Sequence, residues 1–423
     1  MAQRVAIIGA GYAGLACAIE LADAGIPVDV YEASRSLGGR ARAVEVDGLT
    51  LDNGAHILVG AYRETLRLME KVGVGRTALR RHPLHLEYAD RVRVIAPRLP
   101  APLHLAWALL AARGLSFGEK FAAIRFMQDI KARGFRLDAD ITAAALFTDQ
   151  PERLRRHLWE PLCLAALNTP VAIASAQVFL NVLRDSLAAE RAASDLLLPA
   201  TDFSSLFPEP AAAYLAAHGS RVLRATRVAG IEKLGAGWTV QGQAYDHVVL
   251  AVAPYHLDRL LAPHAGFAGL LRQVERFAWQ PIVTLYLAYP AETRLSFPML
   301  GLEGGHAQWL FDRGALCGQP GLIAAVISGD GHWQALSHDA LAAAVHEEIA
   351  ALLPGLPAPA RHWVIEEKRA TFACTPGLER PPTATAAGNV WLAGDYVAGD
   401  YPATIEGAVR SGVAAADSIR RQT

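Results

Sequence analysis

The chain has 423 residues, room for two sizeable hydrophobic cores, and its formal net charge of −1 excludes the broad basic surface that nucleic acid requires. Hydrophobic residues make up 52% of it, yet no run approaches the roughly 20 apolar residues that span a bilayer. Cys17, Cys163, Cys317 and Cys374 lie scattered without CxxC pairing, and the histidines lack ligand spacing, so neither disulfides nor a metal centre is expected.

The first strand, Val5 to Ile8, begins so near Met1 that no signal peptide is expected, and a cytoplasmic protein follows. It runs into Gly9-Ala10-Gly11-Tyr12-Ala13-Gly14, a fingerprint whose glycines allow a tight turn, close approach to a pyrophosphate and close strand–helix packing. A helix from about Tyr12 to Ala24 would aim its free N–H groups and positive end at the phosphates. Val28 to Tyr31 reads as the next strand, ending on Glu32 and Ala33, where a carboxylate can accept hydrogen bonds from ribose hydroxyls. A second flexible loop, Gly38-Gly39-Arg40, follows, and Arg40 can offset phosphate charge. Folds that bind only a nicotinamide have no general need for that loop, so the expected cofactor is FAD. Gly54 and Val228 complete the expected cofactor contacts ahead of the C-terminus.

The pattern implies an α/β fold: a Rossmann-type FAD-binding domain assembled from residues 1–75, 205–260 and 385–423, plus a mixed helix/sheet substrate domain from 76–204 and 262–384. Residues 76–204 read as largely helical. Around 221–252 the chain reads as short strands, one of them Arg227 to Glu232, separated by glycine turns. In 262–384, Pro281–Leu287 and Leu322–Ile327 are strand-like, and Leu341, Val345, Ile349 and Leu352 recur at helical spacing behind Ser337. Pro100 to Arg113, with Trp107, is either an interfacial helix or an ordinary buried one. Arg80, Arg81, His82, Arg91, Arg93 and Arg98 would favour anionic headgroups beside it.

The C-terminal stretch carries the second strong signal. Gly394 and Asp395 end a strand, and Thr404 is a good N-cap for a helix in which Ile405 and Ala408 approach something flat. The positive end of that helix would stabilise charge on the pyrimidine edge of a reduced flavin.

Together, the Gly9–Gly14 fingerprint, Glu32, Gly38-Gly39-Arg40 and Gly394-Asp395 with Glu406-Gly407-Ala408 resemble the FAD-dependent amine oxidase and carotenoid desaturase superfamily. Within it, Leu51–Leu58, Leu158–Pro170 and Ala370–Gly377 look like the hydroxysqualene dehydroxylases. That resemblance implies reductive loss of an allylic hydroxyl from hydroxysqualene or a related long isoprenoid, in squalene and hopanoid biosynthesis. Partners implied are other squalene-pathway enzymes and a peripheral contact with the inner face of the cytoplasmic membrane. No second nucleotide fingerprint appears, so the electron donor stays open between a nicotinamide and a protein. His56 would either protonate the leaving hydroxyl or only hydrogen-bond cofactor and backbone. Tyr401 would wall the substrate slot or simply pack. The alternatives are an isoprenoid desaturase running the flavin in the oxidising direction, an amine oxidase, and a flavin-holding assembly protein without turnover.

Overall fold

The computed structural model describes residues 3–88 and 92–422, so Arg91 of the basic cluster lies outside the described residues. Five short strands form one parallel sheet in the order Arg221–Leu223, Val28–Tyr31, Val5–Ile8, His247–Leu250, Val390–Leu392. Four of these strands are buried at every position, including the polar Asp29 and His247, as befits a sheet covered on both faces. The helix Tyr12–Asp23 lies on one face and packs against the C-terminal helix Ile405–Arg420. These two helices pass so closely that a Cβ on Gly412 would run into the Ala13 carbonyl.

A second, seven-stranded sheet is mostly antiparallel, in the order Arg361–Phe372, Trp279–Ala288, Leu322–Ser328, Trp309–Asp312, Met299–Gly301, His85–Tyr88, Val92–Ile95. Its one parallel pairing joins Gly301 to Tyr88. One face carries the helix His338–Leu352, capped by Ser337 as its sequence requires, with Leu341, Val345 and Ile349 buried. The other face turns towards a large apolar cluster shared with the helical block 103–186.

Two expectations need correction. Residues 76–204 are not uniformly helical: they contribute the strands Leu79–His82, His85–Tyr88, Val92–Ile95 and Leu196–Pro199. Val92 and Val94 are buried while Arg93 and Ile95 are exposed, a period of two that belongs to a strand. Arg227 to Glu232 is not a strand, and pairing begins only at Glu232. Ala225 takes a positive φ of 51°, its N–H donates to Ser34 O, and Thr226 N–H donates to Glu32 O at 2.7 Å. The segment entering that run clamps the Glu32 turn instead of extending a ladder.

Candidate functional site

The cofactor end is built from backbone. Gly9 has φ +111°, and a Cβ there would strike the Ala251 carbonyl; one on Gly14 would strike the Gly9 carbonyl. Gly38 N–H donates to Ala10 O at 2.9 Å and bridges the two glycine loops. At their closest, Gly11 and Gly39 face one another with no side chain between, and a Cβ on Gly39 would lie 3.3 Å from Gly11 Cα. Any larger residue would fill the space between the two loops. Gly11 also caps the Tyr12–Asp23 helix, whose first N–H groups have no side-chain partner at the cap.

Glu32 closes the mouth of this loop. Its carboxylate accepts from Ala10 N–H and Ser34 N–H, both at 2.8 Å. Ala33 is exposed beyond it. Tyr12 turns inward: its ring stacks on Phe207 at 5.0 Å and its hydroxyl donates to Phe203 O, so only its backbone faces the loop.

Arg40 joins three distant segments. Its guanidinium pairs with Asp395 at 2.6 Å and donates to Ala370 O at 2.6 Å, while its own carbonyl accepts from Asn53 Nδ2. The Asp395 carboxylate raises the Arg40 pKa further against the opposing cost of burial. On the C-terminal helix, Thr404 accepts from Gly407 N–H at 3.1 Å. Ser411 links Gly394 N–H to Ala408 O, which fixes the Gly394–Asp395 turn against that helix. Beside it, Tyr396 is buried with no partner for its hydroxyl, and burial next to Asp395 raises its pKa, so it keeps its proton. A buried donor without a protein acceptor, together with an open two-glycine cradle, fits a bound dinucleotide.

Two of the chain segments that suggested a subfamily, Leu158–Pro170 and Ala370–Gly377, also meet. Asn168, in a left-handed turn (φ +45°), donates to Thr371 Oγ1 at 2.9 Å and to Pro281 O. Thr169 Oγ1 accepts from Cys374 N–H, and Ser175 N–H donates to Cys374 O. A π-helical turn at Arg155–Trp159 precedes them. Asp52 is buried against Arg313 at 2.6 Å, accepts from Phe203 N–H, and has both backbone groups bonded to the Tyr286 hydroxyl.

His56 stands above Gly54, its Nε2 3.3 Å from Asn53 O and its ring edge-on to Phe203. Desolvation pushes its imidazole down to about 4. At neutral pH a ring so placed is neutral. Tyr401 sits under the Arg410 guanidinium at 4.8 Å, and its phenol is hydrogen-bonded to Asp185; burial, the leading cause, raises its pKa. Val228 is buried in the large apolar cluster. Asn53, Arg313, Tyr286 and Tyr396 escaped sequence reasoning. Only Asn53, inside an Asp-Asn-Gly turn, offered a local signal.

A doubly covered parallel sheet, paired glycine loops and a capped C-terminal helix define an FAD-dependent oxidoreductase. The model for flavin containing amine oxidoreductases matches residues 12–420, and the chain belongs to that family. It is 32% identical to a hydroxysqualene dehydroxylase of Rhodopseudomonas palustris, covering 99% of both chains, and 28% identical to one from Sinorhizobium fredii over the whole of both. A zeta-carotene desaturase of Synechocystis is 26% identical, over 99% of this chain and 97% of the relative. Cyclohexylamine oxidase from Brevibacterium oxydans shares the fold, with a TM-score of 0.71 at 19% identity over 100% of this chain and 99% of that one.

Proposed function

We propose that this enzyme removes the allylic hydroxyl of hydroxysqualene reductively, giving squalene and water. The observation that carries this reading is relationship along the full chain to proteins named for that reaction. Bound FAD in its reduced state supplies the hydride, and one further proton leaves with the hydroxyl as water. In this reading, residues 1–75, 205–260 and 385–423 hold the cofactor and the remainder holds the isoprenoid.

The chain's own groups have four tasks. Gly9, Ala10, Gly11, Tyr12, Ala13 and Gly14 offer backbone to the pyrophosphate, Glu32 takes the ribose diol, and Arg40 with Asp395 borders the dinucleotide. The helix start at Thr404, Ile405 and Ala408 favours negative charge on the flavin. Trp159, Phe179 and Phe372, all buried in one apolar cluster, keep water from an allylic cation that would otherwise revert to the alcohol. His56, held neutral, orients the hydroxyl as a hydrogen-bond partner rather than as the acid.

The test is anaerobic mixing of the reduced holoenzyme with hydroxysqualene. Flavin reoxidation with stoichiometric squalene is expected; no reoxidation ends this reading. The relationship to carotene desaturases favours a second one, in which oxidised flavin takes hydride from a polyene. Phytoene bleaching the oxidised holoenzyme would select it. Peripheral contact with a membrane belongs to the first reading.

A further inference from the structure

Eleven large hydrophobic side chains are exposed among the described residues, and five of them sit on two neighbouring helices. Leu103, Trp107 and Leu110 form one stripe on the helix Leu103–Leu110, at spacings of four and three. Phe117 and Phe121, four apart, stand on the first turns of the helix Phe117–Ala132. Phe117 is 86% exposed, Phe121 68% and Trp107 57%, far beyond what an isolated surface ring needs explaining for. Lys120 stitches the two helices: its Nζ donates to Leu110 O at 2.8 Å and lies over the Phe117 ring.

These rings are presented outward on a firmly built base. Ser116 and Glu119 form a capping box that starts the second helix, so its first turn is ordered even though its rings are bare. The inward faces are conventional. His104 and Ala108 of the first helix, and Ala123, Phe126 and Ile130 of the second, are buried. Ala108, Ala123 and Phe126 belong to the same apolar cluster as Leu158, Trp159, Phe372 and Tyr396. Apolar packing is therefore continuous from the inner faces of these two helices to Trp159, Phe372 and Tyr396.

Charge selects the occupant. Arg98, Arg113, Lys120 and Arg125 lie along the same stretch, against Glu119 and against Asp129, which stands 3.9 Å from Arg125 in an exposed ion pair. Glu119 is engaged in the cap, and its carboxylate sits below the usual range because the Ser116 groups bond it. A chain of net charge −1 has thus gathered an excess of positive charge along its barest apolar surface. Neither helix crosses a bilayer: the first is eight residues long, about 12 Å at 1.5 Å per residue, and no described helix is both long and apolar enough.

We propose that Leu103–Leu110 and the start of Phe117–Ala132 dock in the interfacial plane of a lipid bilayer carrying anionic headgroups. Trp107, Phe117 and Phe121 enter the acyl boundary while Arg113, Lys120 and Arg125 meet phosphates. This deepens the isoprenoid reading, since a substrate dissolved in that bilayer meets the enzyme at this surface. The surface itself stands on its own geometry.

The experiment is flotation of the holoenzyme with phosphatidylcholine vesicles, with and without phosphatidylglycerol, beside a Trp107→Ser/Phe117→Ser/Phe121→Ser variant. The intact enzyme floats, more so with phosphatidylglycerol and less at high salt, and the variant loses on the order of tenfold or more in partitioning. The variant keeps its bound flavin and its turnover of detergent-dispersed substrate. Equal flotation of both proteins overturns the proposal, as does an intact enzyme that never floats. So does a variant whose only change is conversion from dimer to monomer in sedimentation velocity, which makes the patch an interface between copies. An enzyme that docks but leaves hydroxysqualene untouched in detergent refutes the substrate and leaves the docking surface standing.

Discussion

Two ion pairs of identical length tie this chain together in different places, and they differ in what surrounds them. Arg40–Asp395 and Arg313–Asp52 both close at 2.6 Å and both join residues more than 250 positions apart. The second is sealed, with side chains 6% and 1% exposed, beneath the Tyr286 hydroxyl and the Phe203 N–H. The first keeps Arg40 at 29% exposure, beside the open glycine cradle and the unpartnered Tyr396 hydroxyl. The same geometry therefore does two jobs. One pair fixes the loop from Asp52 to His56 against the second sheet. The other, in the proposed reading, holds a charge at the edge of the cofactor space.

Breaking the sealed pair should produce the larger loss. Arg313→Met leaves a desolvated carboxylate, and the expected cost is about 3–5 kcal/mol in urea unfolding of the holoprotein. Asp52→Asn combined with Arg313→Met should recover much of that, because no charge is then buried alone. If the single and double variants unfold alike, the pair is not what organises this interface.

Breaking the open pair should move binding more than folding. Arg40→Met is expected to weaken FAD retention on the order of tenfold to a hundredfold, about 1.4–2.7 kcal/mol, as truncation of a charge-assisted contact does. The change in urea midpoint should be smaller than for Arg313→Met. Flavin content after dialysis reads the first quantity. An Arg40→Met protein that unfolds early yet keeps its flavin would reverse the roles assigned to the two pairs.

The contrast also explains what the sequence discloses. Gly9, Gly11, Gly14, Gly38 and Gly39 act through missing side chains over short spans, so their spacing along the chain is their spacing around the ligand. Glu32 is legible for the same reason, its carboxylate bonding Ala10 only 22 residues away. Arg313 is not, because its partner lies 261 positions earlier and nothing local to Asp-Arg-Gly marks it. Tyr286 is one apolar-looking position in a strand until the fold sets its hydroxyl against Asp52. Asn168–Thr371 and Thr169–Cys374 show an intermediate case: both segments stand out in the sequence, yet their contact does not. The Arg227–Glu232 run misleads because Val228 and Ile231 are buried without pairing, and periodicity cannot separate those outcomes.

His56 sharpens the comparison at its smallest scale, because it hangs from the loop that the sealed pair anchors. Its imidazole falls from the ordinary 6.5 to about 4, chiefly through desolvation. Between those values an unfolded chain binds a proton at this position and the folded one does not, so folding stability must drop as pH falls from 6.5 towards 4. The contribution reaches at most about 1.4 kcal/mol per pH unit, less where solvent screens the ring. His56→Gln removes it, and the variant's urea midpoint should decline less steeply than the parent's across that window. Above pH 7 the two should differ little in slope, since neither form titrates there. Parallel curves throughout would mean the imidazole ionises as it does in water. A ring that ionised normally would regain the proton that the acid role requires, and orientation would no longer be the better account of His56.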